Sequence, residues 1–219
     1  MSEIFKTIID IFLHLDKNLA MVIGQYGVAT YGLLFLIIFM ETGFVVTPFL
    51  PGDSLLFAAG ALAVTSSLNI WFLYVLLLIA AVLGDTVNYW IGHFVGPKIF
   101  QKETKLIKKD YLVKAHKFYE KYGGAAIFLA RFVPIVRTFA PFVAGIAKMS
   151  YGHFIAYNII GGITWVSIFI WSGYFFGNLP FVKNNFHYVV VVIILISILP
   201  IIYEFVISKL NKNKKDIIN

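Results

Sequence analysis

The chain has 219 residues, of which 60% are hydrophobic and only 13% are charged. Soluble domains carry about 25% charged residues, so lipid must be the solvent for part of this chain. It contains no cysteine, which excludes disulfides, thiol nucleophiles and cysteine-bound metal centres. The composition predicts a single all-α integral membrane domain over residues 1–219, with no cofactor, no metal and no nucleic-acid partner.

The N-terminal segment is predicted to be a helix that lies on the membrane surface. Ile4, Ile8 and Ile11 recur at helical spacing, whereas Lys6 and Asp10 occupy the other side. Acidic residues interrupt the segment and no basic stretch precedes an apolar core, so we do not expect a cleavable signal peptide.

A proline-containing stretch, residues 42–53, separates two apolar runs. The first run, 27–40, is long enough to cross the membrane together with the preceding residues. The second, 54–64, is too short for a hydrocarbon core of about 30 Å, which needs about 20 residues. The pattern therefore predicts a helical hairpin that enters the membrane and returns on one side, followed by a span over residues 70–96.

Residues 97–122 form the most polar stretch, with eight lysines against three acidic residues, a net charge of 8 − 3 = +5. By the positive-inside rule this loop faces the cytoplasm. After it, residues 123–148 are an apolar run again broken by charge and proline, and spans follow over 150–177 and 187–207, joined by a loop at 178–186. We expect loop 98–122 and both termini on the cytoplasmic side of a bacterial inner membrane.

An internal repeat links the two halves. Residues 90–96 (WIGHFVG) match residues 171–177 (WSGYFFG) at an offset of 81. Each copy follows the same kind of unit, a charged and proline-broken hairpin and then a span, but the two units cross in opposite directions. The sequence thus predicts an inverted repeat over residues 42–177, a pattern typical of secondary transporters, whose sites form where broken helices of the two halves meet.

The chain has only two arginines, Arg131 and Arg137, and both lie in the second predicted hairpin. The other sixteen of the 18 basic residues are lysines. The planar guanidinium group suits bidentate contact with a carboxylate or a phosphate, whereas lysine suits water-exposed or snorkelling positions. The choice of arginine at these two sites therefore indicates a geometric role, and we predict phosphate binding there.

The first hairpin and the span that follows it contain three acidic residues: Glu41 and Asp53 flank the hairpin break, and Asp85 lies in the span. With the two arginines the charge is 2 − 3 = −1, so one carboxylate could carry a proton, since burial and a like-charged neighbour favour the protonated form. We assign this proton to Glu41 or Asp53. Asp85 is expected to support the site, or to bond Asn88 within its own helix. The alternative is a set of salt bridges that pins the two hairpins together.

Helix-breaking residues surround these charges. Pro48, Pro51 and Pro134 free backbone groups, which are tolerated at membrane depth only where protein or a water-filled cavity satisfies them. Gly52 allows close approach of the chain. We predict that all four residues support the site.

The motifs that hold these residues resemble the DedA family, the bacterial branch of the VTT-domain (SNARE-associated Golgi protein) superfamily. They are ETGFVVTPFLPGDSLLFAAGAL at 41–62, GDTVNYWIG at 84–92, FLARFVPIVRTFAPFVAG at 128–145 and GYFFG at 173–177. The resemblance implies an inner-membrane translocase that returns undecaprenyl phosphate, a lipid carrier of the cell wall, across the membrane with coupling to the proton motive force. It places the family's essential acids at Glu41 and Asp53 and its essential arginines at Arg131 and Arg137.

The expected function is therefore a proton-coupled flippase of an anionic polyprenyl phosphate, with protons and membrane lipids as partners. One alternative is a proton-coupled exchanger of small ions or osmolytes, in which the arginines are structural. A membrane lipid phosphatase is less favoured, because no nucleophile and base occur together. A purely structural or assembly factor is the last alternative. Small-residue pairs of the kind that pack membrane helices permit a homo-oligomer without requiring one.

Overall fold

The computed structural model describes residues 15–44, 52–99, 123–189 and 191–193. Within these ranges the regular structure is helical throughout, as the composition predicts. The principal helices are α1 Leu15–Tyr26, α2 Ala29–Gly43, α3 Gly52–Ala63, α4 Ile70–Ile99, α5 Ala125–Ala130, α6 Pro134–Ile146, α7 Tyr151–Phe176 and α8 Pro180–Asn184.

Two of these helices are long and apolar enough to cross a membrane. They cover Ile70–Phe94 within α4, 25 residues, and Tyr151–Phe176, 26 residues, which is α7. This result confirms long apolar helices at the predicted spans 70–96 and 150–177. The two helices are antiparallel: the rings of Trp71 and Trp171 meet at 5.0 Å near one end, and those of Trp90 and Tyr151 at 5.5 Å near the other.

The first hairpin differs from the prediction at its start. The chain turns at Gly27, whose φ of +50° suits glycine, so the run 27–40 does not continue the preceding helix. Helix α2 has 15 residues, a length of about 22 Å, which is shorter than a hydrocarbon core of about 30 Å. It therefore forms one arm of the hairpin, and α3, with 12 residues, forms the other.

This first hairpin reaches only halfway along α4. At the start of both helices, the ring of Tyr31 in α2 packs edge-on against Phe72 at 4.8 Å. At the end of α2, the backbone of Gly43 contacts that of Gly84, in the middle of α4. Helix α3 then runs back towards the start of α4. Helices α2 and α3 therefore run in opposite directions, as the two arms of the predicted hairpin require.

The second hairpin reaches the same level from the opposite end. Helix α5 lies against α7, with Gly124 beside Tyr157 and Arg131 beside Gly161. The chain then leaves the helix, and α6 begins at Pro134, the proline that was predicted to break this segment. Helix α6 turns back and packs along the second half of α4.

The second arm of each hairpin packs against the long helix of the other half. In the pair α3 and α7, Gly60 lies against the carbonyl of Ile170, and Gly173 lies against the carbonyl of Phe57. A Cβ atom at either glycine would overlap the facing backbone. The two helices therefore approach at backbone contact, as small residues permit in membrane proteins.

The pair α6 and α4 makes the same contact. Gly145 lies against the carbonyl of Tyr89, and Gly92 lies against the carbonyl of Phe142. The residues of the long helices correspond at the repeat offset of 81, since 89 + 81 = 170 and 92 + 81 = 173. The first glycine of each WxGxFxG copy, Gly92 or Gly173, is thus a point of backbone contact between a long helix and a hairpin helix.

Several predictions fall on other parts of the chain. The predicted loop at 178–186 instead contains the short helix α8, which Pro180 begins. The surface helix with Ile4, Ile8 and Ile11, residues 101–122 of the basic loop and most of the predicted span 187–207 lie outside the described residues.

The glycine contacts yield a stability prediction. Gly60→Ala and Gly145→Ala should each destabilise the fold by about 1–3 kcal/mol, because the added methyl group forces two backbones apart. Gly32→Ala is the matched control, since Gly32 lies inside α2 with open space around its Cβ position, and it should stabilise by roughly 0.5–1 kcal/mol. Thermal unfolding of purified protein in detergent measures all three variants. Equal midpoints for Gly60→Ala and Gly32→Ala would contradict the packing.

Candidate functional site

The ends of the two hairpins bring together all five charged residues that the sequence singled out. Each of them is buried, as their exposed fractions show: Glu41 0%, Asp53 9%, Asp85 1%, Arg131 2% and Arg137 4%. They lie at half height, because Asp85 has 15 residues of α4 before it and 14 after it. The charges are therefore held in the interior of the helix bundle, halfway along its long helices.

Arg137 joins α6 to both arms of the first hairpin. Its Nη2 donates to Oε1 of Glu41 at 2.5 Å, and its Nη1 donates to Oδ1 of Asp53 at 2.9 Å. One guanidinium group thus serves two carboxylates, which lie at the end of α2 and at the start of α3. This group, named here the Arg137 triad, carries a net charge of 1 − 2 = −1.

Gly52 completes the binding of Glu41. Its backbone N–H donates to Oε1 of Glu41 at 3.1 Å. A Cβ atom at this position would fall on the Glu41 carboxylate, so no residue larger than glycine fits here. Close approach of the chain at Gly52 is what the sequence predicts. Pro48 and Pro51, which were also predicted to support the site, lie outside the described residues.

Arg131 forms a second, neutral pair. Its Nη2 donates to Oδ2 of Asp85 at 2.6 Å and to Oδ1 of Asn158 in α7. Asn158 is itself held in place, because its Nδ2 donates to the carbonyl of Val82 at 3.0 Å. The pair thereby connects the end of α5 with the middle of both long helices.

The prediction that Asp85 bonds Asn88 is wrong. Asp85 pairs instead with Arg131, since the hairpin end approaches α4 on that side. Asn88 faces the other hairpin ends: its Nδ2 donates to the carbonyls of Thr42 at 3.3 Å and Thr138 at 2.7 Å. It therefore supplies donors to backbone groups near the point where α2 and α6 meet α4.

Trp165 belongs to the cluster although the sequence did not single it out. Its Nε1 donates to Oδ1 of Asp53 at 2.8 Å. The face of its ring lies 5.0 Å from Cζ of Arg137 and 6.0 Å from Cζ of Arg131, which are cation–π distances. A tryptophan in the middle of a span, away from the interfacial belts where this residue is enriched, is the signal that could have identified it.

Several buried polar atoms of the cluster have no hydrogen-bond partner among the described residues. Within the described part of the chain, three donor nitrogens are buried without a partner, namely Nε and Nη1 of Arg131 and Nε of Arg137. So are three oxygens, Oε2 of Glu41, Oδ1 of Asp85 and Oδ1 of Asn88. Buried polar groups are normally satisfied, so such atoms call for an explanation. The unpartnered atoms are thus hydrogen-bond donors on the guanidinium groups and acceptors on the carboxylates and the amide.

Comparison with known proteins agrees with the sequence motifs. The model of the VTT domain matches residues 50–175. Protein DedA of Escherichia coli (strain K12) is 56% identical over 210 residues, which cover 94% of this chain and 96% of that protein. An uncharacterised membrane protein of Mycobacterium leprae is 42% identical over 178 residues, or 81% and 80% of the two chains. The inner membrane protein YqjA of Escherichia coli (strain K12) is 34% identical over 151 residues, or 68% and 69%. No solved structure matches the chain significantly.

The two groups of the cluster should respond differently to the loss of a carboxylate. Asp85→Asn leaves Arg131 with no carboxylate, and removal of one partner of a buried ion pair costs about 3–5 kcal/mol. Asp53→Asn should cost less, because Arg137 keeps Glu41. Thermal unfolding in detergent compares the two variants, and an Asp53→Asn protein that is as unstable as Asp85→Asn would contradict this assignment of the pairs.

Proposed function

The chain is a membrane protein of the DedA family and carries its VTT domain, and we propose that it is a proton-coupled flippase of an anionic polyprenyl phosphate such as undecaprenyl phosphate. The observation that carries the proposal is the pair of buried guanidinium groups at the meeting point of the hairpins. Both keep N–H positions without a partner among the described residues. Guanidinium groups bind phosphate oxygens with strong, charge-assisted hydrogen bonds.

The proposed architecture is an inverted repeat, in which two re-entrant hairpins enter an inner membrane from opposite sides. Because α2 is one arm of the first hairpin, the repeat begins at Ala29 rather than at the predicted residue 42, and it ends at residue 177. Three observations support it. The hairpins start at opposite ends of the antiparallel long helices, and both end at half height. Their glycine contacts with the long helices correspond at a constant offset. In transporters with such repeats, substrate and coupling ions bind where the broken helices meet near the midplane.

The proposed topology places loop 98–122 and the C-terminal tail in the cytoplasm, as their lysines favour. Helix α2 then begins on the side of the membrane opposite the cytoplasm and ends halfway across it, so the turn at Gly27 lies on that opposite side. A cytoplasmic N-terminus requires the chain before Gly27 to cross the membrane, which departs from the prediction of an N-terminal helix that only lies on the membrane surface. This requirement follows from the geometry of the hairpin, and the apolar pattern of the sequence does not show it.

Charge balance explains why a phosphate would travel with a proton. The five residues have a net charge of 2 − 3 = −1 when all are ionised. A phosphate monoanion that replaced a carboxylate on Arg137 would change the buried charge from −1 to −2. One proton on the displaced carboxylate restores −1, the value of the empty site with all five residues ionised. Because uncompensated charge at membrane depth is costly, the site should bind the two together.

The small-ion or osmolyte exchanger is the second candidate. It is favoured by the fact that each guanidinium group already pairs with at least one carboxylate. The arginines would then only hold the hairpins together, while the acids exchange protons. In that case a lysine at position 137 would preserve transport. The flippase instead requires the fork of the guanidinium group, which a lysine ammonium group does not reproduce.

Reconstitution in liposomes tests the proposal. Wild-type protein should move labelled undecaprenyl phosphate between leaflets, measured as its accessibility from each side, and a pH gradient should change the rate. Arg137→Ala should lower the rate roughly tenfold or more, because a hydrogen bond to a charged group contributes about 1.5–3 kcal/mol. Lys183→Ala, which removes an exposed positive charge from α8, is the matched control and should leave the rate unchanged.

The other outcomes discriminate among the alternatives. No flipping by the wild type, or equal flipping by Arg137→Ala, would reject the flippase. Proton-coupled ion or osmolyte flux that persists in Arg137→Lys and Arg131→Lys would establish the exchanger. Release of inorganic phosphate from the lipid would identify a phosphatase. Full function of a Glu41→Gln, Asp53→Asn double variant would favour an assembly factor.

A further inference from the structure

The two carboxylates of the Arg137 triad lie at opposite kinds of helix end. Asp53 is the second residue of α3, in its first turn, where the positive end of the helix dipole stabilises a negative charge. Glu41 is the third residue from the end of α2, where the negative end disfavours a negative charge. The two helix ends therefore favour an ionised Asp53 and a protonated Glu41, and the N–H of Gly52, which donates to Glu41 Oε1, opposes this effect at Glu41.

Each carboxylate of the triad accepts two hydrogen bonds on one oxygen, and for Glu41 the donors are Arg137 Nη2 and the N–H of Gly52. The two acids therefore differ in the Trp165 N–H and in the state of the second oxygen of Glu41. Oδ1 of Asp53 accepts from both Arg137 Nη1 at 2.9 Å and Trp165 Nε1 at 2.8 Å. An indole N–H can only donate, and donation to a carboxylate favours its ionised form. Glu41 is fully buried, and its Oε2 has no hydrogen-bond partner among the described residues. An oxygen in that position can hold a proton without losing an existing contact.

Asp85 is a poorer site for the proton. With a proton on Glu41, each arginine keeps one carboxylate: Arg137 keeps Asp53, and Arg131 keeps Asp85. With a proton on Asp85, Arg131 would be left with no charged partner while Arg137 held two carboxylates. Because an unpaired buried charge is strongly unfavourable, the count of pairs places the proton within the Arg137 triad.

We propose that Trp165 is a positioning residue that holds Asp53 ionised on Arg137, so that the exchangeable proton of the cluster resides on Glu41. This assignment deepens the proposed proton coupling and rests on it. Trp165 acts through its neighbours: its N–H fixes Asp53, and its ring face supports the Arg137 guanidinium group at 5.0 Å. The pair of Asp53 and Arg137 then stays closed while Glu41 gains and loses the proton.

The charged groups that surround Glu41 come from every hairpin end. Arg137 faces it from α6 and Asp53 from α3, while Asp85 of α4 and Arg131, at the end of α5, complete the cluster. The two arginines favour the ionised form of Glu41, and the two aspartates favour the protonated form. Among the acids, only Glu41 combines complete burial, a helix C-terminus and a carboxylate oxygen without a partner.

Infrared spectroscopy of reconstituted full-length protein tests the proposal without any substrate. A buried protonated carboxyl group gives a carbonyl stretching band that carbon-13 labelling shifts. We expect this band to shift in wild-type protein labelled at glutamate and to stay in place in protein labelled at aspartate. A band that moves with the aspartate label would overturn the assignment, and so would the absence of a protonated-carboxyl band over the whole range of pH at which the protein is folded.

Trp165→Phe tests the positioning role, because it keeps a ring beneath the arginines and removes the N–H. The proton population on Asp53 relative to Glu41 should rise about tenfold or more, as expected for the loss of one hydrogen bond to a charged group. The band should then respond to both labels. Trp171→Phe, at the far end of α7 with ring contacts to Trp71 and Tyr74, is the control and should behave like the wild type.

A merely structural role would destabilise Trp165→Phe and leave the label pattern unchanged, and that outcome would overturn the proposal for Trp165. If this variant fails to fold, the labelled wild-type protein still decides whether Glu41 holds the proton. If the liposome assay shows no lipid flipping but the infrared pattern is as expected, the proposed substrate is rejected and the assignment of the proton to Glu41 stands. The two proposals therefore fail by separate measurements.

Discussion

Two guanidinium groups can remain buried halfway along a bundle of apolar helices only where carboxylates meet them. This requirement governs how the two hairpins come together. Arg137 ties the second hairpin to both arms of the first, through Glu41 and Asp53, while Arg131 ties the turn between α5 and α6 to Asp85 of α4. Because charge at membrane depth is costly unless it is paired, each hairpin end depends on groups that the other half supplies.

Backbone contact makes these pairs possible. The glycines at positions 60, 92, 145 and 173 bring each hairpin helix to the surface of the opposite long helix. Hairpin ends that stopped farther away would leave their side chains short of the partners in the other half. Gly52 has the same effect within the cluster, since only a glycine lets its N–H reach the Glu41 carboxylate. Close packing of apolar surfaces thus sets the geometry of the charges.

The sequence predicted the features that depend on length and local chemistry. The two long apolar helices, the break before Pro134 and the close approach at Gly52 follow from such local signals. The turn at Gly27 was missed, because an apolar run does not reveal where a helix stops before it has crossed. The pairing of Asp85 with Arg131, rather than with Asn88, depends on which hairpin end approaches α4, and sequence spacing within one helix carries no such information.

The two arginines differ in how easily their contacts could change. Arg131 has one carboxylate, the amide of Asn158, and the backbone of Gly161 close beside it, so a change in its contacts would leave a buried charge unpaired. Arg137 has two carboxylates and can lose one while it remains neutralised. In the proposed transport cycle, Arg131 therefore keeps its carboxylate and offers the phosphate only its unpartnered N–H groups, whereas Arg137 also exchanges a carboxylate for the phosphate. Because the cluster has one more carboxylate than it has arginines, Arg137 can release one carboxylate and still be neutralised by the other. In a set of one-to-one salt bridges, the release of any carboxylate would leave an arginine buried without a charged partner.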